Sequence, residues 1–349
     1  AGTVLSAGLA MRHAERQTLV EEAARANEQL GLYANSLHTL IERYRALPAV
    51  LALDPELRAA LQGPVATETQ DALNRKLEKI NGAARSSTLE LLNHEGLAVA
   101  ASNRRLPSSY VGHNYGFRPY FKQTRSQGSG RFYAVGVTSG IPGYFLASAV
   151  KADNQDFLGA MVVKLEFPEL EHEWSQGNDT LLVSDARGIV FIANQPGWRY
   201  RHLQPLSSND LEEIKLTRQY DKQPLTPLQH QTLQRFDDNS SLARVEGPEG
   251  RASYLWESLP LAAEGWTLHL LRKPPNAFEE TRNAGLAAAG AWLTLVFLLL
   301  FLNQRWRLGK VRQRNRQELE QLVEERTRDL RTAQEGLVQS AKLAALGQM

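Results

Sequence analysis

The feature that most constrains this chain is an apolar run of nineteen residues, Ala284 to Leu302, which contains no charged side chain. A helix rises about 1.5 Å per residue and needs roughly 20 apolar residues to cross the hydrocarbon of a bilayer. A core helix of a soluble protein is the alternative, but such helices are rarely apolar on every face over this length. The run therefore predicts a transmembrane helix over 284–302.

The charges beside this run predict its orientation. Six basic residues follow it before the first acid, Glu318: Arg305, Arg307, Lys310, Arg312, Arg314 and Arg316. In the twenty residues before the run, three basic side chains are balanced by three acidic ones. The positive-inside rule therefore predicts that the residues after Leu302 are cytoplasmic and that the larger, earlier part lies outside the cytoplasmic membrane.

Composition excludes several classes of function. The 349 residues suffice for two or three domains, and a net charge of +2 gives no reason to expect a nucleic-acid partner. The absence of cysteine excludes disulfides, thiolate zinc sites and cysteine nucleophiles. The eight histidines are scattered without metal-ligand spacing, and no phosphate loop, nucleophile elbow or dinucleotide motif is present. We therefore expect no metal, no cofactor in this segment and no catalytic residues.

Helical periodicity dominates the first eighty residues. The apolar opening, 1–10, is too short to span a bilayer and predicts the end of a first transmembrane helix, with a signal-peptide remnant as the alternative. A long amphipathic helix over 11–47, ended by Pro48, follows from apolar residues spaced by three and four. Its predicted stripe comprises Leu19, Ala23, Ala26, Leu30, Tyr33, Leu37, Leu40, Ile41 and Tyr44. Thr67 and Gln70 suggest a capping box that begins a second helix, with Asn81-Gly82 at its end.

The period then becomes strand-like. A hairpin is predicted over 89–101, with further strands at 131–138, 144–150 and 159–167, so 48–170 reads as an α+β domain. A weaker copy follows, because LVSDARGIVFIAN (182–194) echoes LLNHEGLAVAASN (91–103) and the later strands match in the same order. We therefore expect a second domain of the same fold over 171–275, ended by Pro274-Pro275.

The cytoplasmic segment, 303–345, predicts a coiled coil that continues the transmembrane helix. Its seam alternates spacings of four and three and comprises Leu319, Val323, Arg326, Leu330, Ala333, Leu337, Ser340 and Ala344. A single solvated amphipathic helix is the alternative. The length of the repeat favours a parallel homodimer with modest stability, since two seam positions are polar.

The candidate ligand-binding residues lie between Ser108 and Lys164. Lys164 interrupts the apolar strand MVVKL, where a lysine is costly to bury without an anion. Arg118 offers a planar fork suited to a carboxylate, and nearby Tyr, Thr138 and Ser139 hydroxyls offer hydrogen bonds. Gly140 and Gly143 would let backbone amides approach a ligand. Two cations with several hydroxyl groups suit a small molecule with two carboxylates.

An alternative remains open at this point. Lys164 would then face solvent, and Arg118 would pair with a protein acid such as Asp153 or Glu166. One internal comparison favours a ligand, because the residue five positions after the matching glycine is Lys164 in the first copy and Leu270 in the second. The first copy therefore reads as the binding domain and the second as a scaffold.

Three motifs resemble the extracytoplasmic sensor of four-carbon-dicarboxylate sensor histidine kinases, the DctB family: NYGFRPYF (114–121), GVTSGIPGYF (136–145) and the Lys164 strand. The end of the chain, 324–349, is similar to the signalling helix that leads into a histidine-kinase dimerisation domain, whose start would be 346–349. The resemblance implies tandem PAS-like domains, a double PDC (Cache) sensor, in the periplasm of a bacterial inner-membrane protein. It assigns ligand contacts to Arg118, Lys164, Tyr115, Tyr133, Thr138 and Ser139, and also to Ser109 and Tyr144.

The function implied by this resemblance is binding of succinate, fumarate or malate, with a signal across the membrane that controls dicarboxylate uptake genes. A sensor for another organic acid, such as 2-oxoglutarate or malonate, and a chemoreceptor with the same sensor are alternatives. In the family, ATP and Mg²⁺ serve the kinase domain and a response regulator receives the phosphoryl group. The sequence stops before a phosphoacceptor histidine and an ATP-binding domain, so we expect no kinase activity from this segment alone.

Overall fold

The computed structural model of the chain describes residues 2–274 and 278–346. Its contacts divide the chain into two compact units. One unit comprises 19–275 and contains all the described strands. The other comprises 1–18 together with 276–349, and its described residues are helical.

Helix α1 (Gly2–Arg45) supplies an apolar stripe to the first unit. The buried members are Leu19, Ala23, Ala26, Leu30, Ala34, Leu37, Ile41 and Tyr44, with Tyr33 and Leu40 half-buried beside them. This confirms the predicted stripe. The helix ends two residues before the predicted position, because Pro48 lies in the first turn of a separate short helix, α2 (Leu47–Ala52), where its missing N–H leaves no intrahelical bond unmade.

Helix α4 (Thr67–Ala84) follows the short helix α3 (Pro55–Ala60) and begins where predicted, but the predicted capping box is wrong. The amide of Gln70 donates a 2.9 Å hydrogen bond to the carbonyl oxygen of Val99 in the sheet instead of turning back to the helix start. The helix also continues past Asn81-Gly82 and ends at Ala84, with Arg85 in left-handed backbone angles as its C-cap. A tertiary contact has replaced the local motif.

Five antiparallel strands form the first sheet: β1 (Thr88–Asn93), β2 (Ala98–Ala101), β3 (Ser129–Val135), β4 (Pro142–Lys151) and β5 (Phe157–Leu165). Their order is β2-β1-β5-β4-β3, and helix α5 (Pro119–Gln127) packs on β3, β4 and β5. The predicted hairpin and the three later strands are confirmed. The predicted strand 131–138 is too long, since Thr138 and Ser139 lie in the loop that follows β3.

The second half of the first unit holds a second sheet, with order β10-β11-β12-β13-β6-β7, and a short parallel pair, β8-β9. Its elements are α6 (Pro168–Ser175), β6 (Thr180–Ser184), β7 (Val190–Ala193), β8 (Arg201–His202), α7 (Ser208–Thr217), β9 (Thr226–Pro227), β10 (His230–Arg235), β11 (Ser240–Gly247), β12 (Gly250–Leu261) and β13 (Trp266–Arg272). Without β10, the order β7-β6-β13-β12-β11 repeats the first sheet strand for strand. The topology shows the tandem repeat that the sequence predicts.

The strand register identifies equivalent positions in the two sheets. Lys164 of β5 pairs with Thr88, the first residue of β1, and Leu271 of β13 pairs with Thr180, the first residue of β6. Leu271 therefore occupies the position of Lys164, and the predicted match to Leu270 is wrong by one residue. Since side chains alternate along a strand, Leu270 faces the other side of its sheet. The contrast between lysine and leucine remains.

Each sheet packs against a hydrophobic core on both of its faces. One continuous core joins the stripe of α1 to one face of each sheet and contains Leu146, Val163 and Leu270. The opposite face of the first sheet packs under α5 in a second core that contains Tyr120, Phe145 and Val162, and that face of the second sheet has a third core around Trp198 and Trp256. The candidate site lies with the second core.

The helical unit contains α8 (Phe278–Leu346), a single helix of 69 residues. Among the described residues, one helix is long and apolar enough to cross a membrane, judged by length and composition, and the candidate stretch is Asn283–Gln334. The predicted span, 284–302, lies within it. Within this unit α1 approaches α8 closely, since a Cβ atom added to Gly2 would lie 2.5 Å from the Trp292 ring.

The predicted coiled-coil segment forms the continuous last part of α8. Its described apolar seam residues Leu319, Val323 and Leu330 are 69%, 59% and 70% exposed in the single chain. The side chains of Leu337, Ser340 and Ala344 lie outside the described set, as do residues 347–349 of the predicted kinase start. Dimerisation through this seam stays a prediction.

Candidate functional site

Lys164 is buried in the first sheet, with 1% of its surface exposed. Its ammonium group donates to Glu166 Oε1 at 2.5 Å, to the carbonyl oxygen of Ile141 at 3.0 Å and to Ser139 Oγ at 3.4 Å. Burial lowers the pKa of Lys164, while the Glu166 carboxylate opposes that shift. The lysine is thus inside the protein, as predicted, and its anionic partner here is a protein carboxylate.

Gly143 makes room for this lysine. A Cβ atom at Gly143 would lie 2.5 Å from Lys164 Cε and 2.9 Å from its Cγ, so a larger residue in β4 would displace the lysine stem. Gly140 has a φ of +69° in the loop that follows β3, a conformation that favours glycine. Both glycines therefore shape the loop and the lysine path around Ser139.

Arg118 is the N-cap residue of α5, and the following proline holds it in an extended conformation. Only 1% of its surface is exposed. Its hydrogen bonds to described residues all go to carbonyl oxygens: Val135 at 2.7 Å, Thr217 at 3.1 Å and Arg218 at 3.0 Å. Burial lowers the pKa of Arg118. The guanidinium group therefore joins the first sheet to the end of α7 in the second half.

The predicted alternative for these cations, a solvent-facing Lys164 and an Arg118 paired with Asp153 or Glu166, is wrong for both residues. Lys164 does not face solvent, although it does pair with Glu166. Asp153, the other acid considered, instead binds Arg58 at 2.5 Å on the surface. Arg118 thus binds neutral carbonyl groups, which leaves its charge uncompensated by hydrogen-bonded acids in the described structure.

Hydroxyl groups gather on the loop between β3 and β4. Tyr115 Oη and Thr138 Oγ1 lie 2.7 Å apart, and Tyr110 donates to Ser139 Oγ at 3.2 Å. The two tyrosine rings meet edge to face at 5.8 Å. The structure therefore brings Tyr115, Thr138 and Ser139 together with Lys164, as predicted. Tyr110 was missed, although it lies within the dense stretch that begins at Ser108.

Two of the predicted tyrosines lie on the opposite face of the sheet. Tyr133 donates a 3.0 Å hydrogen bond to the carbonyl oxygen of Phe191, and Tyr144 donates to the carboxylate of Glu264. Lys164 pairs across the strands with Phe145, and its neighbour Tyr144 must point the other way. The predicted placement of Tyr133 and Tyr144 beside Lys164 and Arg118 is therefore wrong. The error arises because side chains alternate between the two faces of a sheet along each strand.

Ser109 lies in a turn before α5. Its hydroxyl accepts a hydrogen bond from the backbone N–H of Val111 at 3.3 Å, and the side chain is half-buried. This contact forms a local turn of the type that serine side chains favour. A ligand contact from Ser109 stays a prediction.

Glu90 is a buried acid that the sequence analysis missed. It lies in β1 with 1% exposure, accepts a 3.3 Å hydrogen bond from Tyr120, and its Oε2 atom has no hydrogen-bond partner among the described residues. Burial raises the pKa of Glu90 to about 7, while Lys164 and Arg118 oppose the shift. The signal was available, because this acid interrupts the apolar strand TLELLN as Lys164 interrupts its own.

The site therefore contains two buried cations, two acids and several hydroxyl groups. Its chemistry suits recognition of an anion through charge-assisted hydrogen bonds. Within the described residues, no group of three or more His, Asp or Glu is arranged to hold a metal ion. The tandem antiparallel sheets on a long helix, with buried cations in the first repeat, define a PDC-like sensor.

Comparisons with known proteins agree with this class. The chain is 34% identical to the C4-dicarboxylate transport sensor protein DctB of Rhizobium meliloti, over 99% of this chain and 60% of that protein. It is 31% identical to the DctB protein of Pseudomonas aeruginosa, over 94% of this chain and 55% of that protein. The chain is a DctB-family sensor. It spans somewhat more than half the length of these curated relatives, and no protein-family model matches it.

Solved structures show the same fold. The sensor domain of the V. cholerae histidine kinase DctB aligns with a TM-score of 0.66 at 26% identity, over 72% of this chain and 97% of that domain. The periplasmic domain of RsbU from Chlamydia trachomatis aligns with a TM-score of 0.56 at 17% identity, over 76% of this chain and 96% of that domain. The second likeness concerns the fold alone.

Proposed function

We propose that this chain is the sensory and membrane-spanning part of a two-component sensor kinase, and that its first repeat binds a four-carbon dicarboxylate such as succinate, fumarate or malate. The observation that carries the proposal is the burial of Lys164 and Arg118 on the first sheet and its flanking helix. The fold of the repeat does not require a lysine at position 164, because the second repeat has Leu271 at the equivalent position. Buried cations are costly and need a reason.

The contacts of Lys164 suggest how one carboxylate binds. In this structure Glu166 Oε1 and the Ile141 carbonyl oxygen accept hydrogen bonds from the ammonium group of Lys164. A ligand carboxylate takes the place of one of them, while Ser139 and Thr138 donate hydroxyl hydrogen bonds. Each charge-assisted bond contributes roughly 1.5–3 kcal/mol net, so a few such bonds support micromolar affinity.

Arg118 is the proposed partner of the second carboxylate and also the link to the second repeat. It now binds the carbonyl oxygens of Thr217 and Arg218, and the backbone N–H of Val135 donates to Gln219 at 2.7 Å beside it. A carboxylate that recruits Arg118 competes with these carbonyl groups. Ligand binding thereby changes the contact between the repeats, which is the differential contact that a conformational signal needs.

Helix α8 carries the features that bear on the membrane and on the partners. The basic residues after the span favour a cytoplasmic end of α8, which places the sheets in the periplasm. The exposed seam of α8 pairs with a second copy in a parallel coiled coil. In the complete protein a kinase domain follows this segment, and a separate response regulator receives its phosphoryl group. Residues 1–10 would be the end of a first transmembrane helix.

Isothermal titration of residues 19–275 tests the ligand. This segment is a compact unit with its own cores, and the sensor domain of the V. cholerae relative crystallises by itself. Titrants are succinate, fumarate, malate, 2-oxoglutarate, malonate and acetate. Arg118→Ala and Lys164→Ala are compared with Arg58→Ala, which removes a surface cation of the same repeat.

We expect the wild type to bind a four-carbon diacid with micromolar affinity. Both site variants should lose this binding, and Arg58→Ala should keep it. Preference for 2-oxoglutarate or malonate would keep the site and replace the ligand. Binding that survives both site substitutions would move the ligand elsewhere, and absence of binding to every acid would overturn the proposed function. Circular dichroism of each variant separates lost binding from lost folding.

A further inference from the structure

Glu90 lies on the same side of the first sheet as Lys164. It pairs with Val162 of β5, two residues before the lysine, and strand alternation places Val162 and Lys164 on one face. Tyr120 Oη lies 3.3 Å from Glu90 Oε1, and the Tyr120 ring stacks on Phe145, the cross-strand neighbour of Lys164. The acid is therefore part of the floor beneath the candidate site.

The charged and titratable groups that act on Glu90 come from several elements around the candidate site. Lys164 comes from β5, Arg118 and Tyr120 from the start of α5, and Tyr110 and Tyr115 from the segment before that helix. The three phenols stay neutral, because burial raises each tyrosine pKa above its ordinary value. The charges that face Glu90 are therefore those of the two cations that the ligand needs.

The second repeat shows that the fold does not require this acid. Glu90 is two residues after Thr88, and the equivalent residue two after Thr180 is Leu182, which is fully buried. The second repeat thus has leucine at the positions of both Lys164 and Glu90. The acid and the lysine are present together or absent together, which associates Glu90 with the site rather than with the sheet.

We propose that Glu90 is a proton-linked element of the dicarboxylate site, which takes up a proton when the ligand binds. This inference rests on the proposed function. With Glu90 ionised, the charges of Arg118, Lys164, Glu166 and Glu90 sum to zero, and a dianionic ligand adds two negative charges to a buried space. Glu90 Oε2 has no hydrogen-bond partner among the described residues, and a proton on this atom removes one of the negative charges.

The cost of that proton is small near neutral pH, since burial already brings the pKa of Glu90 to about 7. The dianion raises this pKa further, because a nearby like charge disfavours the ionised carboxylate. By linkage, the ligand then binds more tightly as pH falls. For one linked proton, the affinity at pH 6 exceeds that at pH 8 by about tenfold.

The test is calorimetric titration of residues 19–275 with succinate at pH 6, 7 and 8, in buffers of different ionisation enthalpy. The dependence of the heat on the buffer counts the protons taken up per ligand. Glu90→Gln removes the titrating group with little change of shape. Glu257→Gln is the matched control, because Glu257 is also buried, has a pKa of about 7 and lies in the second repeat.

We expect proton uptake on binding in the wild type and in Glu257→Gln, and none in Glu90→Gln. The affinity of Glu90→Gln should vary with pH only through the ligand's own protonation. Binding without proton uptake, or with uptake that survives Glu90→Gln, would overturn the inference and leave the proposed function standing. Absence of binding in the wild type would instead overturn the function. If Glu90→Gln does not fold, the same titrations are made with Glu90→Leu, which introduces the residue found at the equivalent position of the second repeat.

Discussion

The guanidinium group of Arg118 donates a 3.0 Å hydrogen bond to the carbonyl oxygen of Arg218, one hundred positions later in the chain. The donor begins α5 in the first repeat and the acceptor ends α7 in the second. A residue that the sequence marks for ligand binding therefore also holds the two repeats together. A ligand that recruits it must change both contacts.

Replacement of Arg118 by alanine should destabilise the protein as well as remove ligand binding. Three hydrogen bonds from a buried cation are lost, and hydrogen bonds to charged groups contribute roughly 1.5–3 kcal/mol each without strict additivity. We expect a loss of about 3 kcal/mol in the free energy of unfolding, measured in urea. Arg58→Ala should lose less than about 1 kcal/mol, because its ion pair is largely exposed. Equal losses would contradict the bridging role of Arg118.

The side of the first sheet on which each hydroxyl group lies predicts different effects for three tyrosines. Tyr133→Phe leaves the Phe191 carbonyl without its phenol donor and should cost about 1 kcal/mol of stability, with Tyr144→Phe similar. Neither should change ligand affinity, because both hydroxyl groups face away from Lys164. Tyr115→Phe, on the ligand side, should weaken binding several-fold with little effect on folding. Calorimetry and urea denaturation measure the two properties, and an affinity loss in Tyr133→Phe would return that residue to the site.

The acid at position 90 should make stability depend on pH. Burial raises the pKa of Glu90 from 4.5 to about 7, so the folded state holds this proton at pH values where the unfolded state has lost it. The free energy of unfolding should therefore fall as pH rises between 4.5 and 7, by roughly 3 kcal/mol in total. The difference between wild type and Glu90→Gln, measured at pH 5 and pH 8, isolates this contribution. A difference that does not change with pH would contradict it.

The buried imidazole of His269 should act in the opposite direction. It lies between Ser184, Ser258 and Trp256, and burial lowers its pKa to about 4. The unfolded state binds a proton at pH values where the folded state does not, so stability should fall as pH decreases from 6.5 to 4.

His269→Val tests this effect, since Val162 occupies the equivalent position in the first repeat. The variant should be less stable at pH 7, because three hydrogen-bonding groups lose their partner. Its loss of stability between pH 6.5 and pH 4 should nevertheless be smaller than that of the wild type. Parallel profiles would show that His269 does not titrate in this range.

The seam of α8 predicts disulfide crosslinks between copies in membranes. Cysteine at Val323 or Leu330, both exposed in the single chain, should crosslink under mild oxidation. Arg328→Cys, on the opposite side of the helix, should crosslink far less. A yield at Leu330→Cys that changes with ligand would support signalling through this helix, and equal yields at all three positions would argue against a defined seam.

Much of the architecture follows from local sequence patterns. The α1 stripe and the strands are visible as periodicity, because burial of one face imposes a repeat of 3.6 or 2 residues. The apolar span is visible as an uncharged run, and the tandem repeat as two similar segments in the same order. The apolar neighbours of Lys164 marked it as unusual but left a solvent-facing side chain open, and the structure shows that it is buried. The capping motif at Gln70 failed because a distant carbonyl group competed for its amide.

The sequence by itself therefore determined which elements form and which repeat contains the unusual charges. Only the tertiary structure decided that Tyr133 and Tyr144 face away from Lys164, that Glu90 joins the cations and that Arg118 holds the end of α7. The physical reason is that a strand's two faces are equivalent until its register with neighbouring strands is set. Hydrogen-bond partners a hundred residues apart likewise leave no periodic signal in the chain.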